Sequence, residues 1–169
     1  MLKHYAYRVD HDVGFAPNVQ GDICTVCGCK STTVERWAAV GSWTVGIGTG
    51  HPDALIYAMR VDSTPSLADF AKRFPVRGRY LLNHGIPFIA PVLLSRYFYY
   101  FGDHAITLPG SLRHIIIDRE GCKKLADADV IALDRFLSRN YSVGVHGQPN
   151  NAANVSWSRP LCSCSANSC

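Results

Sequence analysis

The sequence lacks any hydrophobic run long enough to cross a bilayer, which takes about 20 residues. The longest apolar stretch, Ile86–Leu94, is much shorter and contains Pro87 and Pro91. The first residues turn polar at Arg8–Asp12, before a hydrophobic segment of signal-peptide length can form. These absences argue against the membrane and secreted classes, and we expect a cytoplasmic protein.

Sequence motifs for nucleotide cofactors are also missing. The chain has no Gly-x-Gly-x-x-Gly segment and no Walker-type loop, and its predicted strands do not alternate regularly with helices. A doubly wound fold that binds a dinucleotide therefore has no support. The composition, 47% hydrophobic and 18% charged, argues equally against a fully disordered chain.

The amino acids that are present fit one compact domain. A chain of 169 residues can bury about two thirds of its unfolded surface and needs no disulfide bonds to fold. We expect a single domain over residues 1–149 and a flexible tail rich in Cys, Ser and Asn over residues 150–169. The net charge of +4 permits a polyanionic partner without requiring one.

Hydrophobic patterning in the first half predicts strands and a long loop. Tyr5–Val9 is rich in strand formers, and an irregular loop follows it to about Thr32. Val40–Gly48 and Ala54–Val61 are separated by strong turn residues, which predicts a β-hairpin with a longer loop.

The second half predicts four further elements. They are a short helix capped at Thr64, a buried strand over Val92–Phe101, a strand or short helix over Leu112–Asp118, and a last helix capped by Asp129. Flexible residues over Asn140–Gly147 are expected to close the last helix.

Seven cysteines direct attention to metal binding or thiol chemistry, because the reducing cytosol makes a disulfide framework unexpected. The segment Cys24–Lys30 is the most specific signal, since it brings three thiols close together in sequence. Two or three thiolates can share one zinc ion, but a full site needs four ligands. The remaining ligands could come from His11, His51, Cys122, Cys162 and Cys164.

A second interpretation makes Cys24 or Cys29 a nucleophile, activated by Lys30 or by a protonated histidine. The candidate partners are His11, His51, His84, His104, His114 and His146. A third interpretation is structural, because free cysteine packs like a small hydrophobic residue.

The segment Asp12–Asn18 combines a carboxylate, an aromatic ring and an amide beside Gly and Pro. In such a loop Phe15 could stack on a nucleobase while Asp12 or Asn18 reads its hydrogen-bonding edge. The alternative is an Asx-turn with Phe15 in the core, which the residues alone favour.

Several of these motifs together resemble a known family. They are Asp12, Gly14–Asn18, Cys24-Thr25 with Cys29-Lys30, Val40-Gly41 with Trp43 and Gly46, Leu94-Ser95, and Tyr99–Gly102. Their order resembles the second nucleotide-modification-associated domain family, although Ser42 stands where that family has an acidic residue. The resemblance implies a role in bacterial and phage systems that handle modified DNA bases.

The hairpin around Trp43 is also similar to the strand pair of the PUA, ASCH and EVE superfamily of small barrels. By this fold-level analogy we expect an α+β domain. Its core would be a bent, partly closed mixed β-sheet, PUA-like, flanked by two or three short helices.

The function predicted from these observations is recognition of a modified or flipped nucleobase, with DNA or a modified nucleotide as partner and no membrane. The pocket would lie between the Asp12–Lys30 loop and the Trp43 hairpin. Its ligand-binding residues would be Asp12, Phe15, Asn18, Thr25, Cys29, Lys30 and Trp43, with Phe15 and Trp43 stacking and Lys30 meeting phosphate. The rival prediction is an enzyme with Cys24 as catalytic nucleophile or with a cysteine-bound zinc as cofactor.

Overall fold

The computed structural model of the protein describes residues 2–9, 12–28, 38–48, 54–117 and 121–149. Predictions that concern Cys29, Lys30 and the tail from Asn150 lie outside these residues. The strands are β1 (His4–Val9), β2 (Asn18–Gln20), β3 (Ile23–Val26), β4 (Trp43–Gly48), β5 (Ala54–Arg60), β6 (Leu93–Ser95), β7 (Tyr97–Tyr100), β8 (Ile106–Thr107), β9 (Cys122–Leu125) and β10 (Gly144–Val145). The helices are α1 (Leu67–Arg73), α2 (Pro75–Asn83) and α3 (Asp127–Asn140), with 3-10 turns at Gly102–His104 and Gly110–Ile115.

The larger sheet is mixed and open. Its strand order is β10-β7-β5-β4-β1-β9, and β8 pairs with β5. The β1–β4 and β10–β7 pairs are parallel, and the other pairs are antiparallel. Strands and helices together confirm the predicted α+β class with a mixed sheet. Over the described residues the sheet does not close, since β10 and β9 form its edges.

The predicted hairpin is confirmed as β4 and β5, which pair with a register shift between Gly46 and Ile47. Glycine is required at position 46 because a Cβ atom there would lie 2.4 Å from the Tyr57 ring and 2.8 Å from Val9. The absence of a side chain at Gly46 therefore lets β4 lie close to Val9 of β1 and Tyr57 of β5.

Two strands of a second, three-stranded sheet, β2 and β3, lie in the region predicted as an irregular loop, so that prediction is wrong. β2 and β3 form a tight hairpin whose turn begins at Gly21, with φ of +59°. Glycine adopts such a φ at little cost, and Gly-Asp between two short extended runs was the signal for this turn.

The predicted strand over Val92–Phe101 is two strands separated at the exposed Arg96. β6 pairs with β3 in the small sheet, whereas β7 pairs with β5 in the large sheet. The Ser95 hydroxyl stabilises the break, because it accepts from the Tyr97 N–H at 2.9 Å. This break connects the two sheets.

Helix α1 is capped by Ser66 rather than Thr64, since the Ser66 hydroxyl accepts from the Asp69 N–H. Helix α3 begins at Asp127, two residues before the predicted cap, and Asp129 instead accepts from the Ala126 N–H at 2.9 Å. None of the helices that the structure describes has the length and hydrophobicity that a bilayer crossing requires.

Apolar side chains form three clusters around the sheets. One lies between the large sheet and α3, and a second lies between the two sheets. The third joins Phe15 to α1, α2 and the strand residues that follow them. The Asp12–Asn18 segment is thus packed between the small sheet and the helices.

Candidate functional site

The Asp12–Asn18 segment is tied down by polar contacts from both sides. The Arg77 guanidinium, buried on α2, donates to the Phe15 carbonyl. The Asn18 side-chain amide donates to the Gly14 carbonyl at 2.6 Å. Burial lowers the pKa of Arg77 to about 10, so the side chain remains a cation at neutral pH. The loop is therefore an ordered wall of the domain.

Phe15 points into the protein, which is the structural alternative that the residues alone favoured. Its ring lies 5.7 Å from Tyr80 and 5.8 Å from His84, measured between centroids, and Arg77 lies 5.2 Å from the ring centre. A base could stack on Phe15 only if the loop opened.

Asp12 is also buried, and its carboxylate accepts a 2.7 Å hydrogen bond from the Tyr100 hydroxyl. Burial raises the pKa of Tyr100 well above its usual range, and the Asp12 charge and hydrogen bond add to this effect. The Tyr100 hydroxyl is therefore a donor at neutral pH. This bond joins the loop to β7 beneath the surface.

Cys24 and Thr25 lie on β3, and both are buried. The Cys24 pKa is raised, first by burial and then by the Asp12 charge, with Arg77 opposing weakly. Thr25 donates to the Asn18 carbonyl at 3.4 Å, inside the small sheet. A neutral, inaccessible thiol does not favour Cys24 as a nucleophile.

We expect Cys24 in the folded protein to react with a thiol alkylating reagent at least about tenfold more slowly than in the unfolded chain at the same pH. Burial blocks the reagent, and the raised pKa removes the thiolate. Timed alkylation with peptide mass spectrometry measures this rate. Fast labelling of Cys24 at neutral pH in the folded protein would support the interpretation of Cys24 as a nucleophile.

The structure tests the predicted zinc site only in part. Cys24 and Cys27 are buried and form no disulfide bond, whereas Cys122 is disulfide-bonded, which the expectation of reduced cysteines did not anticipate. Within the described ranges, no three His, Cys, Asp or Glu side chains are grouped so as to hold a metal ion. Several candidate zinc ligands lie outside those ranges, namely His11, Cys29, His51, Cys162 and Cys164.

Trp43 lies away from the loop. It is buried in the cluster between the large sheet and α3, where its ring meets Tyr97 edge-on at 6.0 Å. Its backbone N–H donates to His4 Nδ1 at 3.0 Å, and His4 Nε2 donates to Asp127. Phe15 belongs to a different cluster, so the structure does not bring these two rings together.

An open cleft of about 260 Å³ lies beside the loop instead. Gly14, Asn18, Val19 and Gly21 form one side. Tyr100 and the C-terminal residues Val145, Gly147, Gln148 and Pro149 complete the lining. A Cβ atom on Gly14 would lie 3.2 Å from Pro149 Cγ, so the two sides come into contact at that point.

Three hydrogen bonds, each donated by a backbone N–H, hold the C-terminal side of the cleft to β7 and the turn after it. The Asp103 N–H donates to the Gln148 carbonyl at 2.8 Å, and the Gln148 N–H donates to Asp103 Oδ1 at 2.7 Å. The His146 N–H donates to the Tyr100 carbonyl at 2.7 Å. The expectation of flexible residues up to Gly147 is wrong, because β10 pairs with β7 here.

The cleft offers hydrogen-bonding groups without charge. Asn18 and Gln148 each carry a carboxamide with a donor and an acceptor side by side, and the Asn18 amide nitrogen already donates one hydrogen to the Gly14 carbonyl. None of its lining residues is Lys or Arg. The glycines let a flat ligand approach the backbone closely. Such a lining suits a small, planar, polar group.

The fold and the cleft together define an α+β domain with an open mixed sheet and a small cleft whose lining carries no Lys or Arg. The chain belongs to the family described as nucleotide modification associated domain 2, which matches residues 1–80 and 78–156. This match confirms the resemblance and gives the chain a role associated with nucleotide modification.

A solved structure of ASCH from Zymomonas mobilis is similar to this chain. The similarity covers 79% of this chain and 94% of that chain, with 11% sequence identity and a TM-score of 0.43. No curated protein matches the chain.

Proposed function

We propose that the protein binds a nucleotide whose base enters the cleft between Asn18 and Gln148. The observation that carries this proposal is that two residues with carboxamide side chains, Asn18 and Gln148, line one cleft, in a family associated with nucleotide modification. The paired donor and acceptor of Asn or Gln match the donor and acceptor pattern on a base edge.

The size of the cleft supports a single base. Its volume of about 260 Å³ falls below the roughly 300–1,000 Å³ of sites for drug-sized ligands. One base fits such a volume better than a whole dinucleotide. Tyr100, whose hydroxyl donates to Asp12, also lines the cleft, although it is almost fully buried.

The rest of the predicted site takes supporting roles in this proposal. Asp12 positions Tyr100, Phe15 anchors the loop to α2, and Thr25 ties β3 to Asn18. Binding of a modified or flipped base remains the expected form of recognition, because a base inside a duplex stack cannot enter a cleft.

We expect Gln148→Ala to raise the Kd for a deoxynucleoside monophosphate about 5- to 150-fold, since a good bidentate contact to a base is worth about 1–3 kcal/mol. The hydrogen bonds that hold Gln148 to Asp103 use the Gln148 backbone, so the cleft wall persists in this variant. Isothermal titration measures the Kd.

Gln20→Ala is the matched control, because Gln20 is exposed on β2 and does not line the cleft. Asn18→Ala is a second test, to be read beside its thermal unfolding, since it also removes the bond to the Gly14 carbonyl. Equal affinity of Gln148→Ala and the unchanged protein would refute the proposed site.

A further inference from the structure

The cleft itself provides no cation for a phosphate, since its lining contains neither Lys nor Arg. A nucleotide bound there must have its phosphates met elsewhere or left in solvent. Helices α1 and α2, which pack against Phe15 of the neighbouring segment, carry an excess of basic residues. Across residues 67–91 the sequence has one acidic residue, Asp69, and four basic residues, which are Lys72, Arg73, Arg77 and Arg79.

Two of these cations are available at the surface. Lys72 pairs with Asp69 at 2.9 Å, and Arg77 is buried against the Phe15 carbonyl. Arg73 and Arg79 are exposed, and neither forms an ion pair with a residue that the structure describes. Arginine suits phosphate contact because its planar guanidinium donates to two oxygens at once.

Exposed apolar side chains accompany these arginines. Phe88 is 62% exposed and Ile89 is 88% exposed, in the loop that follows α2. The loop is ordered, because the Ala68 N–H donates to the Phe88 carbonyl at 3.0 Å and the Leu67 N–H donates to the Ala90 carbonyl at 2.8 Å. Some proteins that bind nucleic acid insert exposed apolar side chains of this kind between base steps.

Helix α2 is connected to the cleft through the Asp12–Asn18 segment. One side of that segment lines the cleft with Gly14 and Asn18, and the other packs Phe15 on Tyr80 and Arg77 of α2. A nucleic-acid strand that places one base in the cleft would continue over the neighbouring protein surface. Helix α2 is part of that surface.

We propose that the α1–α2 surface, formed by Arg73, Arg79, Phe88 and Ile89, binds the nucleic-acid strand that carries the base, so the ligand is a polynucleotide and not a free nucleotide. This inference rests on the proposed function. Arg73 and Arg79 contact phosphates on either side of the extruded base. Phe88 and Ile89 pack against the bases that remain in the stack.

The test measures fluorescence anisotropy with a short DNA duplex that carries one unpaired nucleotide, and with its RNA counterpart. Arg73→Ala with Arg79→Ala should weaken binding to at least one of these probes and reduce the slope of log K against log salt by about 0.9 for each phosphate that the variant no longer neutralises. Phe88→Ser with Ile89→Ser should weaken it at least about fivefold. Deoxynucleoside monophosphate affinity should stay unchanged in both variants.

Helix α3 provides matched controls. Arg135→Ala with Arg139→Ala removes two exposed arginines, and Ile131→Ser removes an exposed apolar side chain. Equal weakening in these controls, or unchanged binding of the α1–α2 variants to both probes, would overturn the inference. Titration with the monophosphate distinguishes a failure of this inference from a failure of the proposed cleft. Only variants of cleft residues should change the monophosphate affinity.

Discussion

Replacing Gly147 with alanine should displace the C-terminal wall of the cleft and reduce nucleotide affinity by more than any single change to a carboxamide. A Cβ atom at this position would lie 1.9 Å from the Phe101 carbonyl oxygen and 2.7 Å from Asp103 Oδ1. The nearest atom belongs to the backbone and cannot rotate away. The segment that carries Gln148 and Pro149 must therefore move off the turn after β7.

The expected cost in unfolding free energy is about 1–3 kcal/mol, which is typical of overpacking. Nucleotide affinity should fall further than in Gln148→Ala, because the variant displaces both the amide and the wall. Hydrogen exchange at the Asp103 and Gln148 amides should quicken, since both amides donate across this interface.

Gly110→Ala is the control, because a Cβ atom there meets nothing within 4 Å. This variant should retain wild-type stability and affinity. If Gly147→Ala binds nucleotide like the wild-type protein, residues 145–149 do not form a wall of the site.

Trp43→Ala should lower the free energy of unfolding by about 3–5 kcal/mol, the usual cost of deleting a large aromatic side chain from a core. Trp43 is 5% exposed and packs edge-on against Tyr97. The backbone bond to His4 does not depend on the side chain, so the destabilisation should come from packing alone. Urea unfolding followed by circular dichroism measures the change.

Phe88→Ala is the control for an aromatic residue, since Phe88 is mostly exposed and a surface substitution usually changes stability by less than about 0.5 kcal/mol. Nucleotide affinity of folded Trp43→Ala, measured at low temperature, should match the wild-type value. A small loss of stability with a large loss of nucleotide affinity would indicate that Trp43 contacts the ligand.

The sequence predicted the elements whose signals are local. The β4–β5 hairpin followed from two β-rich runs around strong turn residues, and α3 followed from apolar side chains at helical spacing. The β2–β3 hairpin was missed because its strands are too short to show alternating polar and apolar residues. In addition, the cysteines in this segment were interpreted as metal ligands or a nucleophile. Its Gly21-Asp22 turn was the available signal.

The residues of the proposed cleft likewise include one with a local sequence signal and one that only tertiary contacts place there. Of the two carboxamide residues in the proposed cleft, Asn18 was among the ligand-binding residues expected from sequence, because it stands in a motif with Gly14 and Pro17. Gln148 was missed, since a single amide in a short polar segment carries no pattern. Its position depends on contacts with Asp103, which lies far away in the sequence. Trp43 was assigned to stacking because an aromatic residue on a strand suits both a core and a binding surface, and only packing distinguishes them.

The most direct test of the nucleotide cleft is NMR observation of the Asn and Gln side-chain amides during titration with the common deoxynucleoside monophosphates and methylated dCMP. With a nucleotide that binds, we expect shifts of the Asn18 and Gln148 amide signals. The signals of Gln20 and Asn140, which lie outside the cleft, should stay in place. Unmoved Asn18 and Gln148 signals in every titration, or shifts confined to other residues, would contradict the proposed cleft.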